Sequence, residues 1–488
     1  MVSFATIGRM TAIATTSPRL DRRAWATLLI LCGAVFLDAL DVSMVGVALP
    51  SIRADLGLST ASLQWVVSAY VLGYGGFLLL GGRAADLLGR RRLFIASLAV
   101  FVVASALGGL VTDGGLLIAS RFIKGVSAAF TAPAGLSLIT TSFSEGPART
   151  RALSIYAATG ASGWSLGLVF GGLLTELSWR ATFFLPVPVA LALVLAAPRF
   201  LPPDTARRTF RAREFDAAGA VTVTAAMLLF VYTVVSAPGA GWGSARTLLS
   251  FAGAAVLAGA FVATERRTAT PLVRLGILRS GALRRANLGA MAVIGGWFGV
   301  QFIATLYMQQ LRGWSALTTA LAFLPTGLIV AAGAPRAGTV IARFGLTRTI
   351  AASLLAFLAA YLLFLDIGAH SNYFVALLPT MLLAGIGFAL GYGPLNVAAT
   401  TGIADHEQGL ASGLVTASFQ VGGALVLAVA TAVINATAAG STSAPALLDG
   451  YRAGVIVSVV AAGLGLLVTV LGPLADRRRA PATACSAA

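Results

Sequence analysis

The chain has 488 residues, of which 58% are hydrophobic and only 10% charged, and its mean hydropathy is +0.90. Soluble globular proteins carry about a quarter charged residues, so a water-soluble fold is excluded and one polytopic membrane body is expected instead. The net charge of +17, with arginine supplying 33 of the 34 basic residues, would suggest nucleic acid in a soluble protein; here the placement of those charges decides their meaning.

Apolar stretches of about 20 residues, the length that crosses a bilayer, recur along the whole chain. They run roughly over 25–49, 62–80, 92–112, 116–142, 150–174, 181–197 and 215–236 in the first part of the sequence. They continue over 247–264, 287–309, 317–334, 346–366, 373–398, 408–434 and 451–473, fourteen in all. Continuous apolar runs joined by short polar turns predict an all-α polytopic bundle and exclude a β-barrel, whose strands would alternate. Residues 1–24 carry no apolar core followed by a cleavage site, so no removable signal peptide is expected.

Placing the N-terminus inside puts 27 basic residues in cytoplasmic segments and five outside: Arg53, Arg180, Arg246, Arg312 and Arg452. This asymmetry satisfies the positive-inside rule and supports an even number of spans, with both termini cytoplasmic. The basicity is then topology plus attraction to anionic membrane lipids, and no nucleic-acid partner is expected. The two cysteines, Cys32 and Cys485, are predicted at different depths and lack metal-ligand companions. The run Asp405-His406-Glu407 reads as a solvated turn, so no metal and no cofactor are expected.

The loop Gly82-Arg-Ala-Ala-Asp86-Leu-Leu-Gly89-Arg90-Arg91-Arg92 has a worn echo 256 residues later, Gly338 to Arg348, with its glycines again seven apart. Both copies join the second and third spans of a six-span set. The expected organisation is a cytoplasmic N-terminal segment (1–24), an N-terminal six-helix half (25–197) and two inserted helices with cytoplasmic linkers (198–286). A C-terminal six-helix half (287–473) and a cytoplasmic tail (474–488) complete it. Tandem halves around a midplane site are a recurring transporter architecture.

Two carboxylates and two cations fall within predicted spans. Asp38 and Asp41 share one helix face, and an aspartate near the bilayer centre costs roughly 2.5–3.5 kcal/mol on insertion scales, so such residues tend to face a cavity. A carboxyl there can load a proton on one side and release it on the other; the alternative is a structural aspartate bonded to a neighbouring helix. Arg121 and Lys124 lie one turn apart in the fourth span. Arginine does not give up its proton, which suits Arg121 to an electrostatic role. Lys124 could titrate, meet an anionic substrate or snorkel to the membrane edge. In the fifth span Gly160, Gly163, Gly167, Gly171 and Gly172 form a small-residue face for close helix approach.

Several stretches, in order, carry a family resemblance: Leu40-Asp41-Val-Ser-Met-Val-Gly-Val-Ala-Leu49-Pro50, Gln64-Trp65-Val-Val-Ser-Ala-Tyr70, the Gly82–Arg92 loop and Arg121-Phe-Ile-Lys124-Gly125. Trp179-Arg180, Phe215-Asp216, Pro271-Leu272 and Leu306-Tyr307-Met-Gln309 follow. Together they resemble the fourteen-span drug:proton antiporters of the major facilitator superfamily over residues 25–473. The resemblance implies a secondary active exporter of lipophilic drugs or natural products, a multidrug efflux transporter of the bacterial inner membrane. It is expected to work as a monomer, with a small lipophilic molecule, protons and membrane lipids as its partners. It implies proton coupling through Asp41 and Arg121, with Asp38 beside them, and a gate loop using Gly82, Asp86, Gly89, Arg90 and Arg91. It also reads the five fifth-span glycines as an antiport motif. Two departures stand out: Lys124 occupies the place of a usual glutamine, and Leu168 that of a proline whose ring would kink the helix.

Candidate substrate-cavity residues are Lys124, Trp164, Tyr307, Tyr392, Asn396 and Gln420, and the aromatic ones among them can hold lipophilic cations by cation–π contact. No glycine-lysine-serine phosphate loop supports ATP drive, and no nucleophile–base pairing suggests an enzyme. One proton crossing 100 mV supplies about 2.3 kcal/mol, enough for about a fiftyfold substrate gradient. Rival readings are a transporter of one metabolite, antibiotic or siderophore (by export or proton-linked uptake) and a transport-inactive sensor or scaffold.

Overall fold

A computed structural model describes residues 21–143, 147–204, 216–268, 271, 273–403, 407–438, 441 and 443–479. Most of the N-terminal segment, the Asp405-His406 pair and Cys485 therefore lie outside the described residues, as does the side chain of Asp86.

Among the described residues fourteen long helical segments follow one another, with a short 3-10 turn at Leu275–Arg279. The first six are α1 (Arg22–Leu56), α2 (Thr60–Leu88), α3 (Arg90–Leu110), α4 (Gly114–Ser142), α5 (Pro147–Leu177) and α6 (Ala181–Phe200). Next come α7 (Ala217–Ala240) and α8 (Ala245–Arg267). The last six are α9 (Gly281–Leu311), α10 (Ala316–Phe344), α11 (Leu346–Leu365), α12 (Tyr373–Thr400), α13 (Gln408–Ala438) and α14 (Ala444–Arg479). Among the described residues thirteen segments are long and apolar enough to span a membrane, and α5, with 31 residues, makes the fourteenth. The helices overrun the predicted spans at several ends. α1, for example, has 35 residues and at 1.5 Å per residue is about 50 Å long, longer than the hydrocarbon core it crosses.

Short polar turns end and restart the helices in a repeated way. Asp21, Ser59, Asp113, Asp216, Ser244, Ser280 and Ser315 each accept a hydrogen bond from the backbone N–H three residues on, capping α1, α2, α4, α7, α8, α9 and α10. Two helices start differently. α3 begins at Gly89 (φ 96°) and α11 at Gly345 (φ 84°), both at positive φ that only glycine adopts without cost. These are the second glycines of the two loop copies, so the weak sequence echo corresponds to a repeated backbone corner.

The two halves repeat each other's packing. α1 lies on α5 as α9 lies on α13, α2 on α4 as α10 on α12, and α3 on α4 as α11 on α12. The halves meet through the second and fifth helix of each set, α2 against α13 and α5 against α10. The inserted α7 sits along the α2–α13 seam, with α8 outside it and burying only Thr247, Ala254 and Glu265. Glycine makes the intra-half contacts close. A Cβ at Gly163 would lie 2.5 Å from the Phe36 carbonyl oxygen of α1, and one at Gly295 in α9 would lie 2.6 Å from the Gly422 carbonyl of α13.

Candidate functional site

The buried charged side chains gather where α1, α2, α3 and α4 cross. Asp41 is completely buried, and so are Arg121 and Lys124. One Asp41 oxygen accepts from the Arg121 guanidinium and the other from the Lys124 ammonium, each in a close ion pair. Arg121 Nε also donates to the Val66 carbonyl (3.1 Å), and its guanidinium lies 4.8 Å from the centre of the Tyr70 ring. Lys124 Nζ donates to Ser105 Oγ (3.0 Å), which in turn donates to the Phe183 carbonyl (2.7 Å). The rings of Phe101 and Phe183 flank that ammonium, with centres 4.6 and 5.2 Å away.

Buried charges persist only when paired and hydrogen-bonded, and this cluster meets that condition with one carboxylate between two cations. Within it Lys124 is buried and paired with Asp41 and does not snorkel. Ten residues into α4, about 15 Å from the helix start, its ammonium is buried on Asp41 instead of reaching the membrane edge.

Asp38 stands apart. It is half-buried, accepts a hydrogen bond from the Tyr70 hydroxyl, and lines a cavity of about 40 Å³. Tyr74, Phe101, Ser127, Thr131 and Tyr156 share the walls. Tyr70 therefore touches both acids' surroundings, its hydroxyl on Asp38 and its ring beside Arg121. Sequence reasoning placed Asp38 and Asp41 on one face but did not find Tyr70's linking position, Ser105, or the tyrosines of the cavity. Tyr70 lies in a quoted motif stretch; the others carry no local signal.

The remaining candidates disperse. Trp164 of α5 stacks on Phe298 of α9 across the two halves (6.1 Å, 11° between planes). Gln420 lies on the α2–α13 seam, its Cβ 3.3 Å from where a Cβ on Gly75 would stand. Tyr392 is 45% exposed and stacks between Phe388 and Phe419. Asn396 donates to the Tyr392 carbonyl within its own helix. Tyr307 is a correction: it has no exposed surface, donates its hydroxyl to the Gly368 carbonyl (2.7 Å) and packs on Phe364, inside the C-terminal half.

The fifth-span glycines divide between two partners. Gly160, Gly163, Gly167 and Gly171 face α1, whereas Gly172 faces α10 beside Ala316, Leu317 and Ala320. Leu168 is fully buried and α5 continues through it without a break. At the loop between α2 and α3, Asp204 accepts from the Arg91 and Arg92 backbone N–H groups (2.9 and 3.3 Å), and the Arg91 guanidinium donates to the Pro198 carbonyl. A Cβ at Gly82 would meet nothing, while one at Gly89 would collide with Asp204.

Polar contacts tie the halves together from mid-bundle toward the end where α1 finishes. Ser165 donates to the Gly327 carbonyl (3.1 Å), Gln309 to Val47 (3.0 Å) and Arg53 to Gln310 (3.2 Å), while Glu176 accepts from the Leu317 N–H (3.1 Å). Trp179 and Arg180 grip Asp55 at the same end (2.9 and 2.6 Å).

Residues 31–427 match the profile of the Major Facilitator Superfamily. The puromycin resistance protein pur8 of Streptomyces alboniger is 39% identical over 469 residues, covering 92% of this chain and 91% of that protein. The cephamycin export protein CmcT of Amycolatopsis lactamdurans is 37% identical, with 92% of each chain covered. The tetracenomycin C resistance and export protein of Streptomyces glaucescens is 31% identical, covering 94% and 91%. Among solved structures, the POT family transporter PepTSo superposes with a TM-score of 0.66 at 17% identity, covering 93% of this chain and 98% of that one. An inward-facing bacterial homologue of the lysosomal transporter Spinster gives 0.63 at 16%, with the same coverage. These likenesses and the two-half bundle agree: the chain belongs to the Major Facilitator Superfamily, as a multi-pass transporter of small molecules in the bacterial inner membrane and not an enzyme.

Proposed function

We propose that the protein exports lipophilic drugs or natural products, driven by proton entry, with its two halves rocking about the α2–α13 and α5–α10 seams. The observation that carries this reading is the buried Asp41–Arg121–Lys124 cluster next to the cavity carboxylate of Asp38. A scaffold has no use for three buried charges, whose desolvation costs several kcal/mol each, whereas a transporter can couple them to a changing charge in the cavity. In this scheme Asp38 exchanges the proton, and Asp41 with its two cations is the fixed countercharge that senses the exchange through Tyr70 and Arg121. The bonds joining the halves at the end where α1 finishes support an inward-facing state, with both termini cytoplasmic and the Gly82–Arg92 loop acting at the open side.

The relatives named for puromycin, cephamycin and tetracenomycin C favour a second reading, a narrow exporter of one natural product. One experiment addresses both. In proteoliposomes holding a pH-sensitive dye, an accepted substrate should dissipate an imposed proton gradient in the wild type and not in Asp38→Asn. A panel of dissimilar substrates that all do so indicates multidrug export, and a single active compound indicates the narrow transporter. Substrate accumulation without proton movement would overturn proton coupling.

A further inference from the structure

We propose that the corner between α10 and α11 binds the headgroup of an anionic phospholipid, with Arg343 and Arg348 on its phosphate and Phe344 among its acyl chains. The inference needs only the placement in a membrane, and neither proton coupling nor the direction of transport.

Charge marks the place first. Residues 266–365 hold ten arginines, no lysine and no acidic residue, so this stretch has nothing of its own to neutralise them. Three of the ten, Arg336, Arg343 and Arg348, lie around the second glycine corner at Gly345, and all three are exposed. Among the described residues no carboxylate pairs with any of them. Arg336 turns its guanidinium back to the Ala332 carbonyl, and that of Arg343 lies 5.3 Å from the centre of the Phe344 ring.

The first copy of the corner shows what the second lacks. In sequence Asp86 stands between its two glycines, and Asp204 accepts from the Arg91 and Arg92 N–H groups. In the second copy the position matching Asp86 holds Ala342, and α11 starts at Gly345 with no side-chain cap. The arginines are kept and both acids are gone. Their charge is left to be met from outside the chain.

Position decides what meets it. The first 18 residues of α10, Ala316–Gly333, rise about 27 Å, close to the thickness of the hydrocarbon core. After a 3-10 turn at Ala334–Arg336 the chain resumes as a short helix, Ala337–Phe344, at the level of the headgroups. Ala337, Val340, Ile341 and Phe344 make one apolar stripe at helical spacing. It begins buried at Ala337 and ends at Phe344, which is 52% exposed. An apolar stripe left half uncovered beside exposed arginines suits a segment lying in the bilayer boundary. Anionic headgroups concentrate there, and the guanidinium fork matches a phosphate. A soluble anion would meet the charges and leave Phe344 bare, whereas a lipid covers both.

The test is native mass spectrometry of the purified protein titrated with phosphatidylglycerol or phosphatidylcholine, read as the dissociation constant of the first bound lipid. The wild type should bind phosphatidylglycerol at least about tenfold more tightly, since each arginine at an anionic surface contributes about a fivefold gain. Arg343→Gln with Arg348→Gln should reduce that preference at least about fivefold. Arg266→Gln with Arg267→Gln, at the exposed end of α8, should leave it unchanged. Ala342→Asp keeps every arginine and restores the acid of the first copy, so it should lower the preference too; it decides the matter if the double variant does not fold. Phe344→Ala should weaken both lipids. Equal binding of the two lipids by the wild type overturns the proposal, as does equal loss in the two arginine pairs or wild-type affinity in Phe344→Ala. Displacement of phosphatidylglycerol by inorganic phosphate or by an oligoglutamate peptide would assign the corner to a soluble anion and overturn it as well.

Discussion

Lys124 places its ammonium on the carboxylate of Asp41, 83 positions earlier in the chain, and neither side chain retains exposed surface. With Arg121 on the other oxygen, the carboxylate is shared between two cations. That arithmetic makes the three residues unequal. Deleting Lys124 leaves a balanced pair, whereas neutralising Asp41 leaves two buried cations facing each other.

The expected order of damage follows. Asp41→Asn should destabilise the protein by about 3–5 kcal/mol, the cost of breaking a buried ion pair, and Lys124→Met by clearly less. From sequence alone Asp41→Asn is predicted to abolish coupled transport with folding intact; the buried cluster argues against intact folding. Thermal unfolding of the purified variants checks it, and an Asp41→Asn protein that melts as late as Lys124→Met refutes the ordering.

How much of this was legible beforehand depended on how local the signal was. The spans, the all-helical bundle and the repeated glycine corners at Gly89 and Gly345 are written in continuous stretches of sequence. Asp38, Asp41 and Arg121 also announce themselves, because charges inside apolar runs are costly. The environment of Lys124 does not. It is made by Asp41 of α1, Ser105 and Phe101 of α3 and Phe183 of α6, far apart in sequence. Tyr307 misled for the same reason: its hydroxyl partner, Gly368, is 61 residues away.

The α1–α5 contact makes a graded prediction. A Cβ at Gly167 would run into Ser43 Oγ and the backbone of Leu40, whereas one at Gly160 would touch only a Val35 methyl at 3.4 Å. Gly167→Ala should cost about 1–3 kcal/mol by overpacking and Gly160→Ala little. The comparison is made by thermal stability and monodispersity in detergent. Equal tolerance at both positions would show that α1 and α5 are not held at this distance in the membrane.

The loop between α2 and α3 is pinned by Asp204, which takes the place of an N-cap side chain that Gly89 cannot provide. Asp204→Ala should cost about 0.5–2 kcal/mol, the usual value of a lost cap, and Asp204→Asn should recover most of it by keeping an acceptor oxygen. Protection of the Arg91 and Arg92 amides in hydrogen exchange is the direct readout. Unchanged protection in Asp204→Ala would remove this role.

The contact between α5 and α10 tests whether the halves move. A Cβ at Gly172 would stand 2.5 Å from that of Ala320, closer than the 3.5–4.5 Å of a disulfide, so a small separation brings two cysteines into bonding range. In a background where Cys32 is alanine and Cys485 serine, the pair Gly172→Cys and Ala320→Cys should cross-link under mild oxidant. If transport requires this end of the bundle to open, the cross-link should stop it and a reductant should restore it. A fully cross-linked protein that still transports would mean that α5 and α10 stay together throughout the cycle, and the rocking motion would have to be abandoned.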